Sequence, residues 1–167
     1  AWSEIDPLGL TSPYSTGSFS DSASTLTVGG VATVTFTTNT VKATATKIRA
    51  TGGTGSKTGT SSTVTTTFGP VDHWVVTPST TSPVAGADVT VTAQAQDVNN
   101  NDITTSGISV AWSEIDPLGL TSPYSTGSFS DSASTLTVGG VATVTFTTNT
   151  VKATATKIRA TGGTGSK

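Results

Sequence analysis

The sequence predicts an all-β protein built from tandem β-sandwiches, on two observations. Residues 1–57 are identical to residues 111–167, an offset of 110 residues, so the 167-residue chain covers about one and a half periods of a repeat. Apolar residues alternate with Thr, Ser and Gln in short runs, and no run has the i, i+3, i+4, i+7 spacing of an amphipathic helix. A period of this length is a typical domain size and can enclose one hydrophobic core.

Each predicted strand is a short segment with one apolar face. In residues 87–96, Val89 and Val91 alternate with Thr, which puts every second side chain on the same face of a sheet. A further short strand is expected around Ser128. The seven principal strands of one period are TGTSSTVTTTF (58–68), VDHWVVT (71–77), ADVTVTAQAQ (87–96), GISVAWS (107–113), ASTLTV (133–138), VATVTFTT (141–148) and VKATATKIRAT (151–161).

Turn residues separate these strands and suggest a domain boundary. VGGV at 138–141 is a signal for a two-residue hairpin, and DVNNND at 97–102 is typical of a turn with positive φ or side-chain-to-backbone bonding. Gly69-Pro70 ends one strand and stiffens the entry to the next. We therefore predict that 1–69 is the C-terminal part of one repeat without its first two strands. We predict that 70–167 is the next repeat without its last strand, and expect flanking sequence or a neighbouring molecule to supply the missing strands.

Seven short strands with turns every 8–12 residues are typical of an immunoglobulin-like β-sandwich. Trp112 falls in the third strand of the repeat, where that fold keeps its core tryptophan, so we expect it to be buried near Val91 and Phe146. The chain has no cysteine, so packing alone must hold the sheets together. A jelly roll or a small barrel is the alternative. Mucin-like disorder also suits Thr-rich sequence but is disfavoured by the apolar periodicity.

Charge and composition exclude several classes of function. Residues 58–167 carry four basic and seven acidic side chains, a net charge of −3 per repeat, which argues against nucleic-acid binding. No apolar run approaches the roughly 18 residues of a membrane span. With one histidine and no cysteine, no conventional catalytic triad or zinc site can be assembled. We therefore expect that the protein is not an enzyme.

The DVNNND loop is the one candidate metal site. Asp97, Asn99, Asn101 and Asp102 offer oxygen ligands within a tight loop, which is the donor type that calcium prefers, and Asp72 could add another. The alternative is an Asx turn in which the same side chains bond the backbone. No other cofactor is predicted.

Other motifs have structural interpretations. GGTGSKT at 52–58 resembles a phosphate-binding loop, but Ser56 precedes the lysine and a strand-like segment follows where a helix is required. Glu114 and Asp116 are two apart, as in a carboxylate pair for glycoside hydrolysis, but Pro117 follows at once. His73 and Trp74 suggest packing at a repeat boundary or a sandwich edge. A sugar-binding platform would have only Tyr124 and Phe129 among loop aromatics.

Five segments together resemble the bacterial Ig-like repeats of invasin, intimin and giant surface adhesins. They are GPVDHWVVTP, AGADVTVTAQAQDVNNND, GISVAWS, GGVATVTFTT and IRATGG, and they cover nearly the whole period. The usual glycine of the family's D-x-x-G-N turn is replaced here, giving Asn99-Asn100-Asn101. The resemblance implies an extracellular, cell-surface spacer or adhesive stalk, and it implies no catalytic residues.

Verbatim repetition favours a structural function, because a fibre gains length from identical copies. We expect a non-catalytic spacer or stalk whose partners are neighbouring identical repeats, in the same chain or an adjacent molecule. The alternative is a subunit of a self-assembling extracellular filament, sheath or surface layer. A carbohydrate-binding module is disfavoured because it would need exposed aromatic side chains.

Overall fold

The computed structural model describes residues 1–8, 16–20, 25–118, 126–130, 134–152 and 155–163, and these form strands and turns. The chain divides into two compact units, the first unit (Ala1–Phe68) and the second unit (Gly69–Lys167). No helix in the described ranges is long and apolar enough to cross a membrane. The strands of the first unit are β1 (Trp2–Ile5), β2 (Ser18–Phe19), β3 (Phe36–Thr37), β4 (Ala45–Gly52), β5 (Lys57–Thr60) and β6 (Val64–Thr65). Those of the second are β7 (His73–Pro78), β8 (Asp88–Gln96), β9 (Ser109–Ile115), β10 (Ser128–Phe129), β11 (Ser134–Leu136), β12 (Val141–Thr147) and β13 (Lys157–Gly162).

The second unit is an immunoglobulin-like β-sandwich. One sheet has the strand order β10-β12-β8-β7 and the other has the order β11-β9-β13, and all pairs are antiparallel. Strands β8 and β12 pair over seven residues, with Val91 opposite Val144. The alternation read from the sequence therefore gives each sheet one apolar face, and the two faces enclose a common core.

Trp112 lies in that core, as predicted. It is 3% exposed and belongs to one buried cluster with Val91 and Phe146. Its indole Nε1–H donates to the Thr135 hydroxyl at 2.8 Å, so the polar atom of the buried ring is satisfied. Ile103 is also buried, at 2% exposure, although it lies between strands and the sequence analysis did not assign it to the core.

The predicted turns are confirmed in their geometry. Val138 and Val141 exchange backbone hydrogen bonds of 2.8 and 3.1 Å around Gly139 and Gly140, which both have positive φ. In the loop after β8, the Asp97 carbonyl accepts the Asn100 N–H, and Asn100 has a φ of 61°. The short strand expected around Ser128 is β10.

The first unit repeats part of this pairing. Trp2 lies opposite Ala50 between β1 and β4, as Trp112 lies opposite Ala160 between β9 and β13. The other edge of β4 pairs with β5 and β6. The continuous strand predicted over 58–68 is wrong in one respect, because residues 61–63 interrupt it where the register shifts by one residue, as in a β-bulge.

Identical sequence is buried to different degrees in the two units. Phe146 is 3% exposed in the second unit, whereas its copy Phe36 is only half-buried. The reason is that β7 and β8 complete the sheet and cover the core in the second unit, and the residues of the first unit include no equivalent of them. Packing partners, rather than local sequence, therefore decide how far these side chains are buried.

Candidate functional site

The predicted calcium ligands lie together in the loop after β8, where Asp97 organises the turn. Its side chain is buried, at 1% exposure. One carboxylate oxygen accepts the backbone N–H groups of Asn99 and Asn101, both at 2.9 Å. The other accepts the backbone N–H of Gly69 at 2.9 Å, and the Asn101 side-chain amide reaches both oxygens. This is the geometry of an Asx turn that also fastens the start of the second unit.

The same hydrogen bonds hold the Asp97 carboxylate in its charged form. The Gly69 N–H and then the Asn101 amide lower the pKa of Asp97 from 3.8 to about 2, against a smaller opposing effect of burial. The Asp102 carboxylate accepts the side-chain amide of Gln96 at 2.9 Å. Because N–H hydrogens point at both Asp97 oxygens, the arrangement favours the self-bonded turn over a calcium-binding loop.

The metal question has a direct test in thermal melting. We expect the same melting temperature with millimolar calcium as with a chelator, because the loop is held by its own N–H donors. A chelator-induced fall in melting temperature that calcium reverses would instead make Asp97, Asn99, Asn101 and Asp102 ligands, since a bound ion stabilises the folded state by mass action. An Asp102→Asn chain is the control, because it removes one candidate ligand but keeps the hydrogen bonds of Asp97.

Glu114 is a buried carboxylate that the sequence analysis placed in a candidate catalytic pair. It lies in β9, is 9% exposed and accepts the backbone N–H groups of Thr126 at 2.8 Å and Gly127 at 3.2 Å, together with the Thr126 hydroxyl. Burial raises the pKa of Glu114, but these hydrogen bonds more than offset it and the pKa is lowered overall. Glu4, its copy, makes the same contacts with Thr16 and Gly17.

Asp116 does not share this environment. It follows the end of β9, and its carboxylate accepts the N–H of Leu118 two residues on at 2.7 Å, which closes a local turn. The structure therefore gives the two carboxylates separate structural contacts rather than one common site. The buried position of Glu114 was readable from the sequence, since it continues the every-second-residue face of Val110 and Trp112. Among the residues that the structure describes, no three His, Asp or Glu side chains form a metal-binding group.

The remaining candidates lie in structural positions. His73 contacts Asp72 at 3.3 Å and the Gln96 side chain at 3.0 Å, which joins β7 to β8. Trp74 packs against the core and donates to the Gly162 carbonyl at 3.2 Å. Residues 53–56 of the GGTGSKT motif form the turn between β4 and β5.

Within the described part of the chain, the aromatic side chains considered for sugar binding do not form a platform. Phe129 was predicted to lie in a loop, but it lies in β10. Its ring packs on Phe146, with the ring centroids 5.2 Å apart. Tyr124 lies outside the described residues. The Phe129 ring is thus part of the sandwich core region, where its stacking with Phe146 contributes to packing.

A cavity of about 660 Å³ lies at one end of the second unit. Its apolar lining comes from both sheets, and polar side chains near the start of β13 complete it. Strand β13 is at the end of its sheet, and among the described strands only β9 pairs with it. The lining of the cavity includes Val76, Val89, Phe146, Lys152, Thr156 and Ile158.

Comparison with known proteins gives only distant structural likenesses. No protein-family model matches the chain, and a search of curated proteins finds no match. The apo structure of Bacteroides uniformis β-glucuronidase 3 is similar at 15% identity and a TM-score of 0.41, covering 71% of this chain and 15% of that chain. A glycosyl hydrolase family 2 member from Bacteroides cellulosilyticus is similar at 13% identity and a TM-score of 0.42, covering 77% of this chain and 19% of that chain. The chain spans less than a fifth of the length of either enzyme. Similarity at this level says nothing about the activity of this chain.

Proposed function

We propose that this chain is part of a non-catalytic structural array, a spacer or stalk of an extracellular, cell-surface protein. The observation that carries the proposal is the verbatim repetition of 57 residues. Within it, the pair β1–β4 of the first unit has the same register as the pair β9–β13 of the second. Repeats that keep one pairing scheme are suited to adding length in equal steps. The resemblance of the sequence to bacterial Ig-like adhesin repeats supports the same function.

The direction of the strands also suits a linear array. In the second unit the chain enters beside the end of β13, because Trp74 at the start of β7 bonds to Gly162. In the first unit the strand that follows the copy of β13 runs antiparallel to it and ends with Phe68 against Lys42. A complete repeat would therefore be entered at one end of its strands and left at the other.

The carboxylates support a structural role. Asp97 fastens the entry of the second unit to the loop after β8, and Glu114 fastens β9 to the segment before β10. Both carboxylates accept several hydrogen bonds from groups within the fold. The second candidate is a subunit of a self-assembling extracellular filament, sheath or surface layer, which the verbatim repetition supports equally.

Small-angle X-ray scattering on lengthened chains would test the array. Each added 110-residue period should increase the maximum dimension by about 30 Å, because the longest strand, β8, has nine residues at roughly 3.3 Å each. Chains with one, two and three added periods form the series. A dimension that grows only as a compact globule of the same mass would contradict the proposal.

A further inference from the structure

The chain is held by hydrogen bonds on both sides of the boundary between the two units. On the first-unit side, Thr66 donates its N–H to the Thr44 carbonyl and accepts the N–H of Ala43, both at 2.9 Å. On the second-unit side, the Gly69 N–H donates to the Asp97 carboxylate at 2.9 Å. Only two residues separate the last bonded residue of the first unit from the first of the second. The boundary therefore contains almost no free segment.

The hydrogen bond from the Gly69 N–H to the Asp97 carboxylate is here named the junction bond. Its acceptor is firmly placed, because the Asp97 side chain is 1% exposed and its other oxygen accepts two backbone N–H groups of its own loop. In the part of the chain that the structure describes, the next backbone hydrogen bond is from the Asp72 N–H to the Gln96 carbonyl, at 2.8 Å. Without the junction bond, the unbonded stretch would therefore run from residue 67 to residue 71.

The junction bond acts on the residue at which the chain could bend most. Glycine has no β-carbon and adopts a wider range of φ than any other residue. Pro70, which follows, has a fixed φ and no N–H, so it can neither bend nor bond in place of Gly69. A β-carbon built on Gly69 would lie 3.6 Å from the β-carbon of Asp97, so the backbone passes close to Asp97 here. The bond thus restrains the position best suited to act as a hinge.

We propose that Asp97, through the junction bond, restricts the motion of the second unit relative to the first and so keeps the junction between repeats stiff. The inference rests on the proposed structural function and deepens it, because a spacer keeps its length only if its junctions do not bend freely. Gly69 and Asp97 lie in residues 58–110, the part of the period that has no second copy in the chain. In an array with this period, each junction would have its own junction bond.

Asp97→Asn removes the junction bond with little other change. The bond uses one carboxylate oxygen, whereas the backbone N–H groups of Asn99 and Asn101 use the other. An asparagine that keeps its oxygen toward those two N–H groups turns its NH2 toward Gly69, and two donors cannot bond each other. The reverse orientation would lose both loop hydrogen bonds to keep one, so the first orientation is favoured.

Two further variants complete the comparison. Asn101→Ala is the matched control, because it removes the side-chain amide that contacts both Asp97 oxygens and keeps the junction bond. A Gly-Ser insertion after Phe68 is the reference for a loose junction, because it lengthens the unbonded stretch with flexible residues while Asp97 is unchanged.

Distances between two spin labels measure the stiffness of the junction in the intact chain. The chain has no cysteine, so labels can be attached at Ser3→Cys and Ser113→Cys, which are exposed strand positions and copies of each other in the two units. We expect a narrow distance distribution for the otherwise unchanged chain and for Asn101→Ala. For Asp97→Asn we expect a distribution at least about twice as broad, approaching that of the insertion.

Amide hydrogen exchange is the second measurement. The Gly69 amide should exchange at least about tenfold faster in Asp97→Asn than in the unchanged chain, while β8 and β12 keep their protection. Equal distribution widths for Asp97→Asn and the unchanged chain would overturn the proposal, and so would equal broadening by Asn101→Ala.

If Asp97→Asn fails to fold, the unchanged chain decides. A Gly69 amide that exchanges slowly, together with a distribution narrower than that of the insertion, supports the proposal, and the opposite result in either measurement overturns it. If the junction proves loose while each added period still lengthens the chain beyond a compact globule, the array function stands and only this inference is wrong.

Discussion

Replacing Trp112 by alanine should lower the free energy of unfolding of the second unit by about 3–5 kcal/mol, the usual cost of removing a large buried aromatic side chain. Trp112 is 3% exposed, and its loss would leave a hole among Val91, Val144 and Phe146 in the middle of the core. A domain of this size is stable by only about 5–15 kcal/mol. Amide hydrogen exchange of β8 and β12 would measure the change, since these strands line the hole.

The repeat provides a matched control in Trp2→Ala. Trp2 is the same residue in the same local sequence, and its indole N–H makes the same 2.8 Å bond, to Thr25. It is only half-buried, so its replacement should cost at most about 2 kcal/mol. Because the hydrogen-bond loss is common to both variants, the difference between them measures core packing. Equal costs would mean that the sandwich does not enclose Trp112 as described.

Strand positions and the core could be predicted because both follow from a pattern with a period of two. The alternation in residues 87–96 and 141–148 fixed which side chains face inward, and Trp112 followed from its place among the strands. Pairing partners were harder, because sequence gives the faces of a strand and not its neighbours. The interruption at 61–63 was not predicted, because an extra residue in a strand of Thr and Ser does not change the pattern of apolar residues.

The candidate site was predicted less completely, for a different reason. The composition of the loop at 97–102 suits a calcium site and an Asx turn equally, and only the directions of the N–H groups favour one of them. Residue 69 supplies one of those N–H groups from 28 positions away, which no local reading would include.

Gly140→Ala should destabilise the second unit by about 2–5 kcal/mol through two separate effects. Gly140 has a φ of 84°, a conformation that costs an L-residue with a side chain about 1–2 kcal/mol. A β-carbon there would also lie 1.6 Å from the Ile103 carbonyl oxygen, so backbone would have to move. That movement would strain the hydrogen bonds that Ala95 and Gln94 make to this region, adding a further cost of about 1–3 kcal/mol.

Gly30→Ala isolates the first of these effects. Gly30 is the copy of Gly140 and has a φ of 82°, but nothing lies within 4 Å of the position its β-carbon would take. Its replacement should therefore cost only the conformational penalty, about 1–2 kcal/mol. The excess for Gly140 then measures how tightly the hairpin packs on the segment at Ile103. If urea unfolding and amide exchange gave the same loss for both variants, the close approach of Gly140 to Ile103 would be excluded, because identical turns would then be in equally open surroundings.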